Sequence, residues 1–255
     1  MRTRLRIASA SLLQSLSAKS IVKYGSVDIA QSTSAGKTTS IALAAFSSEP
    51  GSIYVADAGT SPSVGSCLIH PQSALSMSTG LDAGTLSVSG PGVQATLQSI
   101  PQTPGIYSAV LTSLPSNGGA FSFTGSGGKD VGPFTANANF PVPLVWTNPV
   151  TSINRAQGQT VTWTGGALGT YVTVTGLSST GTGLAFTNVS FFCLAPVSAG
   201  QFTVPSWVLP ALPVSSTGSF GLYNYSNPQG FTASGLDFAA ALGFTSTGSN
   251  PVSYQ

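Results

Sequence analysis

The chain has 255 residues, 41% of them apolar but only 5% charged, against roughly a quarter charged in an average soluble protein. Its formal charge of +2 comes from the first 23 residues. Arg2, Arg4, Arg6, Lys19 and Lys23 lie there without an acid, while residues 24–255 set Lys37, Lys129 and Arg155 against all six acidic side chains, a net −3. This balance argues against a basic face for nucleic acid, and no apolar run approaches the roughly 18 residues of a membrane-spanning helix.

Residues 1–23 are a basic tail or a weak signal-like segment. The order is that of a secretory signal: a basic start, an apolar centre from Ile7 to Leu16, then Ala18. Ser9, Ser11, Gln14 and Ser15 interrupt the centre, and Leu16 stands where a small residue is wanted. Ser26–Ala30 and Thr39–Phe46 read as strands, although Ile41–Phe46 lacks alternation and reads equally as helix. From Ser52 the strand pattern is firmer: Ser52–Ala56, Cys67–His70, Thr85–Ser89, Ala95–Ser99, Ile106–Leu111, Ala120–Thr124 and Phe134–Phe140. Gly- and Pro-rich turns separate them. Pro141 and Pro143 cannot continue a central strand, so they mark a boundary.

Beyond it the clearest signal is Gln159–Gly176. Val161 and Trp163 alternate with Thr160, Thr162 and Thr164, and Val172 and Val174 with Tyr171, Thr173 and Thr175. Two strands joined by a reversal at Gly165 and Gly166 are expected, with Trp163 in a core. Further strands are expected at Leu144–Thr147, Leu184–Leu194, Gln201–Val204, Ser219–Tyr225, Phe231–Ala233, Phe238–Thr245 and Val252–Tyr254. One short helix is expected near 205–212, where Pro205 suits a first turn and Val208 and Leu212 share a face. The pattern predicts an all-β protein with under about a tenth helix. Its architecture is read as two antiparallel immunoglobulin-like β-sandwich domains in tandem, 24–140 and 141–255.

Chemistry-bearing motifs are scarce. Gly36, Lys37 and Thr38 end like a phosphate-binding loop, but Gln31 occupies the place of its first glycine, so a plain loop is expected. Cys67 and His70 have the spacing of two zinc ligands, yet the chain holds one other cysteine and no other histidine. A serine hydrolase would need His70 as base and a nucleophile elbow that does not occur. A glycosidase pair cannot be drawn from residues 131–255, whose only charged side chains are Arg155 and Asp237. An enzyme is therefore not expected, nor a cofactor or a metal. Asp82 and Asp237 each follow Gly-Leu and read as Asx turns capping the next strand rather than as calcium ligands. Cys67 and Cys193 are a disulfide candidate if the protein is exported. The sequons at Asn188 and Asn224 matter only in a eukaryotic secretory host.

Three aromatics suggest a binding face: Trp207, Tyr223 and Tyr225. The two tyrosines share one side of a strand, and aromatics with a polar handle stack on sugar rings or anchor protein interfaces. The expected function is a non-enzymatic extracellular structural or adhesion-type module. The alternative is a carbohydrate-binding module that uses these aromatics. The partner would be a cell-surface glycan or protein.

A wider pattern is made by Pro62–Cys67, Gly80–Gly84, Ser87–Gly92, Trp163–Gly166, Val172–Gly176, Phe192–Cys193, Phe202–Pro205 and Val252–Gln255 in that order. Over about residues 60–255 it resembles a group of uncharacterised secreted β-sandwich proteins of soil bacteria. In them the region closes a longer exported chain. The resemblance implies a secreted or cell-surface location and treats residues 1–45 as a shortened or misassigned start. Its motifs are structural and carry no catalytic residue.

Overall fold

A computed structural model describes residues 10–51, 62–71, 78–182 and 186–255. The expected strand at Ser52–Ala56 lies outside the described residues. A short helix, α1 (Ala10–Ser17), leads into a long hairpin of β1 (Val22–Ser34) and β2 (Lys37–Glu49). Then come β3 (Cys67–Pro71), β4 (Thr79–Gly80), β5 (Leu86–Gly90), β6 (Val93–Ser99), β7 (Ile106–Leu111), β8 (Gly119–Gly125) and β9 (Phe134–Phe140). After Pro143 follow β10 (Leu144–Trp146), β11 (Ser152–Ile153), β12 (Gln159–Gly165), β13 (Tyr171–Thr180), β14 (Thr187–Pro196) and β15 (Gln201–Val204). The chain closes with β16 (Ser215–Tyr225), β17 (Gln229–Gly230) and β18 (Phe238–Tyr254). The protein is all-β, with 59% strand and 5% helix.

The stretch that read equally as helix or strand is strand. Ala42, Ala44 and Phe46 of β2 point into a core while Ile41, Leu43 and Ala45 take the other face, a period of two that small residues had blurred. Ala35 (φ 48°) and Gly36 (φ 75°) make the two-residue reversal between Ser34 and Lys37. This is the backbone of a tight hairpin turn, so the Gly36–Lys37–Thr38 motif is a hairpin tip.

Among the described residues fifteen strands join one sheet in the order β3-β14-β13-β16-β18-β1-β2-β7-β6-β5-β8-β9, with β4 attached at β2, and β11 and β17 at β18. It is mixed rather than purely antiparallel, because β1 and β11 run parallel to β18. β6 pairs β5 from Val93 to Leu97 but meets β7 only at Gln98 and Ser99. The sheet therefore folds over at β6 and lays β5, β8 and β9 opposite β1 and β2. Between these layers sits a first core that includes Val27, Ile29, Phe46, Val88, Phe121, Phe123, Phe134 and Phe140. β9 shows the alternation directly: Phe134, Ala136, Ala138 and Phe140 are buried, and Thr135, Asn137 and Asn139 are exposed. Its end crosses β18 at Gly243, where an added Cβ would stand 2.2 Å from Asn139 O.

A second core lies between β3-β14-β13-β16-β18 and a small sheet, β10-β12-β15. It includes Trp146, Val161, Trp163, Val172, Val174, Phe191, Phe220 and Tyr254. The two strands of Gln159–Gly176 do not pair with each other. β12 belongs to the small sheet and β13 to the large one. Gly165 (φ 76°) and Gly166 (φ 83°) carry the chain across the core instead of back along it, so both apolar faces meet in one interior. The expected strand at Phe231–Ala233 is instead the link between β17 and β18, where, among the described residues, Phe231 N–H alone donates to Ala239 O, and the expected helix near 205–212 is only a 3₁₀ turn at Leu209–Ala211. Val208, Ala211 and Leu212 each donate to the carbonyl three residues back, and Pro210 has no N–H to extend an α-helix.

The cores exchange elements. Cys67 and Ile69 of β3 pack against the second core, while Ala241 of β18 and the flanking Phe231, Ala233 and Leu236 pack against the first. β18 thus serves both: Phe238–Gly248 pairs β1, and Phe244–Tyr254 pairs β16.

Candidate functional site

Within β16, Leu222 and Asn224 point into the second core, which turns Tyr223 and Tyr225 to the outer face of the large sheet. Their rings lie nearly parallel (8°) with centroids 6.0 Å apart. Phe244 of β18, opposite Tyr225 in register, closes on both rings at 5.4 and 6.4 Å. All three are half-buried, and burial raises the Tyr223 hydroxyl above its ordinary pKa. Tyr171 stands one residue before Val172, where the β13–β16 ladder ends at Asn224; by strand alternation it takes the same outer face, and it is exposed. Thr173 and Ser246 flank Tyr223 in register, so the neighbours are hydroxylated rather than charged.

Asn224 fixes one margin of this face and was not legible as doing so. It is fully buried. Its Oδ1 accepts from Ala167 N–H (2.9 Å), and its Nδ2 donates to Thr170 Oγ1 (2.8 Å) and Tyr171 O (2.9 Å). One side chain thereby satisfies the link that crosses between the sheets and holds Tyr171 in place. Its burial also places the second sequon in the interior. Asn188 is half-buried on β14, where its Oδ1 accepts from Ser179 Oγ.

Trp207 does not join the aromatic group. It is 60% exposed on the segment after β15, on the small-sheet side of the second core. Among the described residues it makes no ring contact with Tyr223 or Tyr225. The expected trio is therefore two tyrosines with Phe244 and Tyr171, and Trp207 apart from them. The signal for Phe244 was the alternation of Ala240, Leu242 and Phe244 with Ala241 and Gly243, which the apolar run hid.

Cys67 and Cys193 are joined in a disulfide across β3 and β14. Leu194 N–H donates to Ser66 O, so the neighbouring pair is the hydrogen-bonded one. Cys67 and Cys193 then form the closer, non-bonded pair, with Cα atoms 4.0 Å apart. His70 sits on the same strand opposite Ser190. Among the described residues no three His, Cys, Asp or Glu side chains gather into a metal-ligating cluster.

The carboxylates hold loops. Asp82 accepts from Gly84 N–H (2.9 Å) and Lys129 N–H (3.3 Å), and these bonds, helped by the Tyr107 hydroxyl at 3.4 Å, keep its carboxyl below the ordinary range. The Gly84 bond is the expected Asx turn. Asp130 accepts from Asp82 N–H. Asp237 departs from that reading: it reaches back to β1, pairing with the Lys19 ammonium and accepting from Lys23 N–H (2.9 Å). Partial burial works against its ionisation, but those partners hold its carboxyl below the ordinary range. Asp28 behaves otherwise. It sits on the outer face of β1, between Leu43 and Leu242 in register. Burial pushes its carboxyl up to about 7, opposed only in part by a hydrogen bond from Ser26 Oγ (3.3 Å).

No protein-family model matches the chain, and no curated protein does either. Among the described residues no helix is long and apolar enough to cross a membrane.

Proposed function

We propose that the protein is a non-enzymatic extracellular structural or adhesion-type module, built of two immunoglobulin-like sandwiches, 24–140 and 141–255, that exchange β3 and the start of β18. The observation that carries this reading is the use of its few ionisable side chains. Asp82 and Asp130 close a loop, Asp237 with Lys19 ties the start of β1 to the start of β18, and Arg155 donates to Pro210 O. Among the described residues these side chains support a frame instead of converging on a cleft. The disulfide fits an oxidising, secreted or cell-surface location, as does the resemblance to secreted proteins of soil bacteria.

A second reading, a carbohydrate-binding module, is favoured by the outer aromatic face. Parallel tyrosine rings beside Phe244, on the face that also exposes Tyr171, among hydroxyl side chains, offer the apolar faces and polar tips that sugar rings take. A glycan array on the purified full chain separates the two. Retention on glycans that is lost in Tyr225→Ala and Tyr171→Ala selects the carbohydrate reading. No retention, with binding to intact cells or their surface proteins, selects adhesion to protein. Hydrolysis of any arrayed glycan overturns both.

A further inference from the structure

We propose that β1 and β18 form a load-bearing shear clamp, so that the protein resists force applied along its chain. The inference goes beyond the reading above, because it does not depend on what the outer face binds.

The two strands run parallel and pair over eleven consecutive positions, from Tyr24↔Phe238 to Ser34↔Gly248. β1 begins at one end of this ladder, and β18 leaves it at the other. A pull on the chain ahead of β1 and beyond β18 therefore acts along both strands in opposite senses. The evenly spaced bonds of a parallel ladder are then loaded together. In the antiparallel β1–β2 pair, Val22 and Glu49 lie side by side at one end, and a pull there would open one pair at a time.

Both clamp strands are interior to the sheet. β1 lies between β18 and β2, and β18 lies between β1 and, along its length, β17 and β16. Val27, Ile29 and Ala241 are completely buried along the ladder, which keeps water from competing for its bonds. Each end has an added lock. At the start, Asp237 N–H donates to Lys23 O (2.7 Å), Lys23 N–H donates to Asp237 Oδ2, and Lys19 pairs with the same carboxylate. At the far end, Ser253 N–H and Gln255 N–H donate to Thr151 O and Ile153 O. The Tyr254 hydroxyl donates to Ser219 O (2.8 Å). The disulfide closes a loop with a sequence separation of 126, which removes that segment from the load path even after the clamp gives way.

Single-molecule force spectroscopy tests the proposal on the oxidised full chain. One arrangement places handles at the two chain ends. The other pairs the N-terminal handle with one on Thr232→Cys, whose thiol is the only free one because the native cysteines are paired. Thr232 is exposed and lies just ahead of β18, so this arrangement pulls the same ladder apart from its starting end. End-to-end rupture should need several-fold more force than opening from Thr232. Reduction should then lengthen the end-to-end extension by about 420–450 Å, the reach of the released loop. Equal or lower force end to end overturns the clamp, and an extension unchanged by reduction overturns the protected loop. Either failure leaves the glycan and cell-binding outcomes untouched.

Discussion

Trp163 shows how one residue is held by two kinds of interaction. It is 3% exposed on the inner face of β12, opposite Trp146 in register, and its indole N–H donates to Val197 O at 2.9 Å. Trp163→Ala would leave a large cavity and remove one of the two hydrogen bonds that Val197 O accepts, the other coming from Gly200 N–H, so it should cost about 3–5 kcal/mol. An unchanged urea midpoint would contradict that placement. Asp28 makes a prediction of the opposite kind. Its folded pKa is raised from 3.8 to about 7, so over that interval the folded protein keeps a proton that the unfolded chain releases. Its stabilisation is full below the unfolded value and is lost as pH rises through the folded one. The loss amounts to about 4 kcal/mol at most. Asp28→Asn should match the wild type near about pH 4 and exceed it near about pH 8 in urea midpoint. Parallel pH profiles for the two proteins would show that Asp28 does not titrate as its burial requires.

At the scale of elements, β3 is the most dependent on a partner. It has five residues and, among the described residues, pairs only with β14, far away in sequence. Short strands of this kind add little by themselves, and the Cys67–Cys193 bond compensates by removing freedom from the unfolded chain. With a separation of 126 residues, the chain-entropy model assigns it about 4–5 kcal/mol. Cys67→Ser with Cys193→Ser should lower the urea midpoint accordingly. Denatured, unreduced protein from an oxidising compartment should show no reactive thiol; two thiols would refute the pairing. β12 and β13 make a different point. Their alternation was legible because side-chain direction in a strand is local. Their partners were not, since three positive-φ glycines, Gly165 at the end of β12 and Gly166 and Gly169 in the link to β13, suit a hairpin and a crossover alike.

For the whole molecule, the shared strand predicts cooperativity. β18 completes the sheet of each core, so neither core can open fully while the other keeps it. Trp146 and Trp163 lie in the second core and no tryptophan lies in the first, so buried tryptophan fluorescence reports one core while far-ultraviolet circular dichroism reports both. Their urea transitions should coincide. Separate midpoints would mean that the cores unfold independently and that β18 frays at its middle.

The all-β class, most strands, the buried Trp163 and the candidate cysteine pair were determined by the sequence, because alternation, turn chemistry and cysteine count are properties of short stretches. The Asx turn at Asp82 was equally local. Tertiary structure alone decided that β1 runs parallel to β18, that Asp237 reaches Lys19 instead of capping its own strand, and that Asn224 holds the margin of the aromatic face. It also separated Trp207 from Tyr223 and Tyr225 and brought Phe244 to them. Each of these depends on which distant segments meet. In a chain so uniform in Ser, Thr, Gly and Ala, many strand pairings satisfy the same local pattern, and only the simultaneous burial of Phe, Trp and Tyr side chains in two closed cores selects among them.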